Sequence, residues 1–109
     1  MTTTMRYKRK ATAAYAASLI AKADPGNVVR IRGYNSGAAQ FLQLHDSATL
    51  PADTAVPASV MAIAATSNFD FDLKNTPIPC IAGIVVCNSS TAMTKTIGSA
   101  NCHIEIFYE

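Results

Sequence analysis

The stretch from Gly83 to Tyr108, GIVVCNSSTAMTKTIGSANCHIEIFY, constrains the fold more than any other part of the chain. Its end alternates strictly. Ile104, Ile106 and Tyr108 fall on one side of an extended chain, and His103, Glu105 and Phe107 fall on the other. Successive side chains of a strand point to opposite faces, so the pattern predicts a strand with one face in a core. Ile84, Val85, Val86 and Cys87 form a short, β-branched apolar run of the kind that suits a buried strand. Between the two, Asn88 to Asn101 is dense in Ser, Thr, Gly and Asn, which is turn and loop chemistry.

The rest of the chain repeats the theme. Ala13 to Ala23 suits helix or strand equally: Ala favours a helix, but Ala17, Leu19, Ala21 and Ala23 also alternate. Asp24-Pro25-Gly26-Asn27 is a tight-turn sequence, with Pro fitted to the first central position and Gly to the second. Such a turn most simply joins antiparallel strands, so Ser18–Ala23 is read as a strand. Val28–Tyr34 and Gln40–His45, separated by Asn35-Ser36-Gly37, read as the clearest hairpin in the sequence. Asp46 to Pro57 is long and polar, and its length predicts a crossover between sheets. Val60–Ala65 is a short apolar strand. Asn68–Lys74 alternates Phe69, Phe71 and Leu73 inward against Asp70 and Asp72 outward. Pro77 and Pro79 confine any strand that contains them to an edge. Seven or so short strands predict an all-β fold with little or no helix after Asp24. The expected architecture is an antiparallel β-sandwich of the jelly-roll kind, with Phe69, Phe71, Ile104 and Ile106 in its core.

At 109 residues the chain is one domain by length. Charged residues make up 15% of it, against about 25% in ordinary soluble domains, which leaves surface for a partner or for self-association. The net charge of +2 is uneven: Arg6, Lys8, Arg9 and Lys10 crowd the start, leaving five basic residues against seven acidic ones elsewhere. Residues 1–12 therefore read as an extended basic arm and residues 13–109 as the sandwich. Cys80, Cys87 and Cys102 match no zinc spacing, and three cannot all pair within one chain. They read as reduced, mostly buried thiols made in a cytosol. Met1 to Asp24 has the basic start of a signal peptide, but its middle is mainly Ala with Thr12, Tyr15 and Ser18, so it is not read as one. No run approaches the ~18 apolar residues of a membrane span.

Few residues suggest chemistry. Asp70 and Asp72 could act as an acid–base pair, but they share an outward strand face, where solvated carboxylates are ordinary. Cys102-His103, with His45 and Cys87, invites a metal or a Cys–His nucleophile; adjacent strand residues, however, point to opposite faces. Arg30 and Arg32 beside Tyr34 could be a nucleic-acid surface, and a salt-bridged solvent face explains them better. No catalytic residue, cofactor or metal is expected. The segment with a functional reading is Arg6-Tyr7-Lys8-Arg9-Lys10, as an electrostatic tether to an acidic partner surface or to nucleic acid, with a solubilising tail as the equal alternative.

Across GYNSGAAQFLQLHD (Gly33 to Asp46) and again across Gly83 to Tyr108, the chain resembles small virion proteins of tailed bacteriophages. It is similar in particular to the β-sandwich or jelly-roll proteins that decorate or cement phage heads. The resemblance spans about Ser18 to Tyr108 and rests on segment character and strand order. It implies a non-enzymatic protein made in the host cytoplasm and bound in many copies on the virion. Its partners would be the major capsid protein and copies of itself, a homo-oligomer, with no small-molecule substrate, membrane or nucleic acid. Similar modules occur in phage necks, tails and fibres, where a sugar or receptor would be bound.

Overall fold

A computed structural model describes residues 7–109 and contains, among them, nine strands and no helix. These are β1 (Lys8–Ala11), β2 (Ser18–Lys22), β3 (Gly26–Asn35), β4 (Gln40–Asp46), β5 (Ser59–Ile63), β6 (Ser67–Asp72), β7 (Ile78–Cys80), β8 (Ile84–Ser89) and β9 (Cys102–Tyr108). They form two antiparallel sheets. The front sheet runs β1-β9-β3-β6, with β7 pairing the first residues of β3; the back sheet runs β2-β8-β4-β5.

One operation generates this order. β1 pairs β9, β2 pairs β8, β3 pairs β6 and β4 pairs β5. These are the rungs of a single antiparallel ribbon doubled back between β4 and β5. Rolling the ribbon so that successive rungs fall in alternate sheets brings β9 against β3 and β8 against β4. The result is a jelly roll, with β7 added beside β6. β7 carries Pro79 and pairs only with β3, an edge position as that proline requires.

The roll also explains where the turns depart from expectation. Val28–Tyr34 and Gln40–His45 do not form a hairpin: β3 and β4 lie in different sheets, and Asn35-Ser36-Gly37 opens a corner between them. Asp24-Pro25 likewise takes the chain from back sheet to front, and Gly26 opens β3 without a left-handed φ. Stacked sheets lie about 10 Å apart, which three or four residues can span. Conversely, the long connection after Asp46 is not a crossover. It joins β4 to its own neighbour β5 and forms the tip of the ribbon. Turn residues encode that the chain reverses, but not which sheet it enters.

The basic arm needs a second correction. Lys8–Ala11, which the sequence assigned to the arm, is the edge strand of the front sheet, in register with Glu105–Tyr108, so it belongs to the sandwich. Without it β9 would leave a row of backbone groups unpaired. The pairing continues past β1: Thr12 N–H donates to Ile104 O (3.0 Å), and Ala16 and Cys102 exchange backbone bonds of 2.8 and 3.1 Å.

Ile31, Leu42, Leu44, Ile84, Val86, Ile104 and Ile106 have no exposed surface and fill the space between the sheets, joined by Phe69. Phe71, expected in the core, is only half-buried and packs on its margin. β9 alternates as its sequence dictates. β8 does not: all six of its residues are buried, because loops cover the outside of the back sheet. One end of the sandwich is sealed by amides. Gln40 Nε2 donates to Asn35 Oδ1 (3.0 Å) and Asn101 Oδ1 (2.9 Å), and Asn88 Nδ2 donates to Asn101 Oδ1 (3.0 Å) and Ser99 O (2.7 Å). Among the described residues no buried side-chain nitrogen or oxygen lacks a partner.

Candidate functional site

The outer face of the front sheet collects the charged residues that the sequence singled out. Register places Arg9, Phe107, Arg30 and Asp72 in one row, Glu105, Arg32 and Asp70 in the next, and His103, Tyr34 and Asn68 in a third. The charges pair along diagonals and within rows. Arg30 Nε donates to Asp70 Oδ1 (2.9 Å), Arg32 Nε donates to Glu105 Oε1 (2.9 Å), and Glu105 also accepts from Arg9. Arg30 and Arg32 therefore belong to a salt-bridged solvent face, as read from the sequence. Asp70 and Asp72 point outward, Asp72 standing 3.7 Å from Lys74 Nζ. The arginines hold the carboxyls of Asp70 and Glu105 below the ordinary carboxylate range, Arg30 acting on the first and Arg32 chiefly on the second. Exposed pairs contribute about 0–1 kcal/mol each, so this ladder sets the charge pattern of the face more than its stability.

The ladder divides the face into two hollows. One, of about 300 Å³, is bounded by Arg32, Tyr34, Asn68, Asp70, His103 and Glu105. Tyr15 stacks on Tyr34 at 6.4 Å beside it. The other, of about 260 Å³, lies among Tyr7, Arg9, Val29, Arg30, Lys74 and Phe107.

The arm residues do not act as one cluster. Tyr7 is exposed at the rim of the second hollow and Arg9 is bound to Glu105. Lys8 and Lys10 stand opposite Tyr108 and Ile106, hence on the other side of the edge strand, and are exposed. Arg6 lies outside the described residues. Strand alternation splits the basic run into two directions, which a count of charges along the sequence does not reveal.

The back sheet is covered. Its outward residues Gln43, His45, Val85 and Cys87 lie under the β4–β5 loop (residues 47–58) and the β8–β9 loop (residues 90–101). Gln43 Nε2 lies 2.9–3.0 Å from the carbonyl oxygens of Thr91, Ala92 and Thr94, while Gln43 Oε1 lies 3.0 Å from His45 Nε2. The loops lock each other: Thr54 N–H donates to Lys95 O (2.7 Å), Lys95 N–H donates to Ala55 O (2.8 Å), and Lys95 Nζ reaches Asp53 at 2.8 Å. Thr54 takes a left-handed φ of 78° to make this contact. Asp53 and Lys95 are the only charged residues in the two loops. The same loops expose Leu50, Val56, Met93 and Ile97, with Val56 and Met93 more than three-quarters accessible at 76% and 77%.

No family model, curated protein or solved structure matches the chain. Its chemistry is therefore read from the site alone. The Cys102–His103 pair is divided by the sheet, with the thiol in the core and the imidazole outside near Thr12 Oγ1 (3.1 Å). Cys87 lies opposite Gln43, on the same covered face as His45, whose Nε2 is engaged by Gln43. Burial pushes the thiols of Cys80 and Cys87 up to about 11, so thiolate is scarce at neutral pH. Among the described residues no three His, Cys, Asp or Glu side chains gather as a metal site would need. Among the described residues no helix is long and apolar enough to cross a membrane. Sequence reasoning missed the loop layer. Gln43 and His45 alternate with Leu42 and Leu44, which puts them on the outer face of the back sheet, and their burial there depends on loops distant in sequence.

Proposed function

We propose that this protein is a non-enzymatic structural component of a bacteriophage virion, bound to the outer surface of the capsid as a decoration or cement protein. The loop layer carries the reading. It presents Leu50, Val56, Met93 and Ile97 around one internally neutralised Asp53–Lys95 pair, a rigid, nearly uncharged surface suited to docking on another protein. The jelly roll behind it supplies stiffness, and the resemblance of its segments to head-decorating proteins supports the location. The partners are the major capsid protein and sister copies. Tyr7 to Lys10 contribute contacts from the edge strand, with Arg6 expected to join them. Weak contacts repeated over a symmetric shell combine into avidity. The test is rebinding to capsids stripped of the protein. The parent should rebind and raise their heat resistance, and Val56→Asp/Met93→Asp should rebind poorly while folding normally. Rebinding no better than that of an unrelated protein would refute the reading.

A second reading rests on the first hollow, where Asn68, Asp70, His103 and Glu105 surround Tyr34. Donors and acceptors about an aromatic ring suit a sugar, which would make the protein a ligand-binding module of a phage tail, neck or fibre. Glycan binding lost in Tyr34→Ala would favour it.

A further inference from the structure

A third hollow, of about 330 Å³, opens in the loop layer, where the β4–β5 loop stands over the end of β4. Its walls are apolar, made of Pro51, Ala55, Val56, Pro57 and Ala58, and the nearly buried His45 lies behind them. The imidazole is set by its neighbour. Gln43 aims Nε2 at three carbonyl oxygens 2.9–3.0 Å away, which fixes the amide and turns Oε1 toward His45 Nε2 at 3.0 Å. An amide oxygen only accepts, so His45 Nε2 carries the proton and Nδ1 presents a lone pair. Burial and the Lys95 ammonium lower the His45 pKa, which keeps the ring in this neutral form. Nδ1 has no hydrogen-bond partner among the described residues, whereas none of their buried side-chain nitrogens or oxygens is left without one. The 3% of its surface that His45 keeps therefore includes Nδ1, and the hollow is where that surface opens.

The other polar side chains of the wall are turned to backbone groups. Asp46 accepts the N–H groups of Ile81, Ala82 and Gly83 at 3.0, 2.8 and 3.3 Å, and Ser47 Oγ donates to Thr49 O at 2.6 Å. What the hollow offers a ligand is thus a neutral acceptor behind apolar walls. A water molecule would satisfy Nδ1 and leave the walls uncovered. An ammonium would bring three donors and a charge to one neutral nitrogen. A phenol brings one O–H on a flat apolar ring, and so meets both features. We propose that this hollow is a socket for a tyrosine side chain of the docked protein, its ring against Pro51 and Pro57 and its O–H donated to His45 Nδ1. The proposal deepens the virion reading and rests on it for the partner. Val56 belongs both to the hollow and to the exposed apolar surface of the loop layer, so a chain docked on that surface passes the opening. The bonds between Thr54, Ala55 and Lys95 brace the wall before any partner arrives, and a preformed pocket filled by an aromatic anchor carries much of an interface's affinity.

The probe is p-cresol, the tyrosine side chain as a free molecule, titrated into the full chain and followed by nuclear magnetic resonance. Without ligand, His45 should be the tautomer protonated on Nε2. p-Cresol should saturably shift His45 Nδ1 and the backbone amides of Ala55, Val56 and Ala58. Toluene, which lacks the hydroxyl, and 4-methylanisole, whose oxygen cannot donate, should each bind about tenfold more weakly. His45→Phe should bind p-cresol and toluene alike, and a retained preference for p-cresol would count against the socket. The tautomer and the ligand comparison are read on the parent chain, so they decide the matter even if that variant does not fold. A proton on Nδ1, equal binding of p-cresol and toluene, or tighter binding of 4-methylbenzylamine would overturn the proposal. The two readings fail separately. Saturating p-cresol should inhibit rebinding to stripped capsids; rebinding untouched by it overturns the socket and leaves the virion reading standing. If p-cresol binds with these preferences and capsids are not bound at all, the virion reading falls and the socket stands for another partner.

Discussion

Gly33 lies mid-strand in β3, opposite Phe69 on β6 and Ile104 on β9. Its φ is not left-handed, so general rules favour Gly33→Ala: a mid-strand glycine costs roughly 0.5–1 kcal/mol relative to alanine. The structure reverses that sign. A Cβ built at Gly33 would sit 1.9 Å from the backbone oxygen of His103 and 2.9 Å from Phe69 Cζ, where real Cβ atoms keep at least 3.0 Å. The closest atom is backbone of the neighbouring central strand, so no rotamer relieves the overlap, and β3 and β9 must part by about 1 Å. That separation takes ladder bonds near 2.9 Å beyond hydrogen-bond range. Two lost bonds at about 1 kcal/mol each, plus about 1–3 kcal/mol of packing strain, outweigh the backbone gain. The net loss is about 2–4 kcal/mol, or about 10–20 °C in Tm for a domain of this size. Urea denaturation and thermal melts followed by circular dichroism measure it. Gly26→Ala is the control, because its nearest neighbours are the Ile84 Cδ1 side-chain end at 3.1 Å and the Glu109 backbone oxygen and Lys22 Cδ at 3.3 Å, none within 3.0 Å; it should cost under about 1 kcal/mol. A Gly33→Ala protein melting with the parent or above it would refute the close-approach argument.

Other outcomes follow from the same structure. Ile106→Ala, in the core, should cost about 2–5 kcal/mol, whereas Phe71→Ala, at the core margin, should fall below the about 3–5 kcal/mol of a buried Phe; a larger loss for Phe71 would contradict its placement. Burial, reinforced by Lys95, lowers the His45 pKa below its usual value. The unfolded state therefore takes up the proton first, and stability should fall as pH drops below about 6.5. His45→Gln should flatten that slope between pH 7 and 5 in urea titrations, and an unchanged slope would exonerate His45. Unreduced mass spectrometry should find three free thiols, and Cys80 and Cys87 should react with Ellman's reagent only as fast as the protein unfolds; prompt reaction at pH 7 would contradict their burial.

What the sequence disclosed was set by the range of the interaction that decided each feature. Alternation along one strand is local, so β9, β6 and the strand character of β3 and β4 were legible, as was the edge placement of Pro79. The destination of a turn is not local. Asn35-Ser36-Gly37 has hairpin chemistry, yet the ribbon's roll sends β4 into the other sheet. The candidate faces divide the same way. The Arg30–Asp70 and Arg32–Glu105 pairs could be anticipated from outward positions of alternating strands. The loop layer, held by Gln43 and Lys95, could not, because polar residues such as these give no signal of burial until their distant partners are in place.

The nesting of the ribbon's rungs bears on how the chain is made. The β4–β5 rung closes the shortest loop and the β1–β9 rung the longest, so assembly from the tip outward leaves β9 for last. Yet β9 is not a final trim on the edge of the front sheet; it lies between β1 and β3. Until that last strand leaves the ribosome, β1 has no neighbour in the sheet and β3 holds only β6 and β7. A nascent chain stalled before Cys102, or a product truncated there, is thus a half-roll with an open central gap. Such a gap invites the β9 of another copy, and high-level synthesis should convert it into exchanged or aggregated chains rather than monomers that lack only one strand.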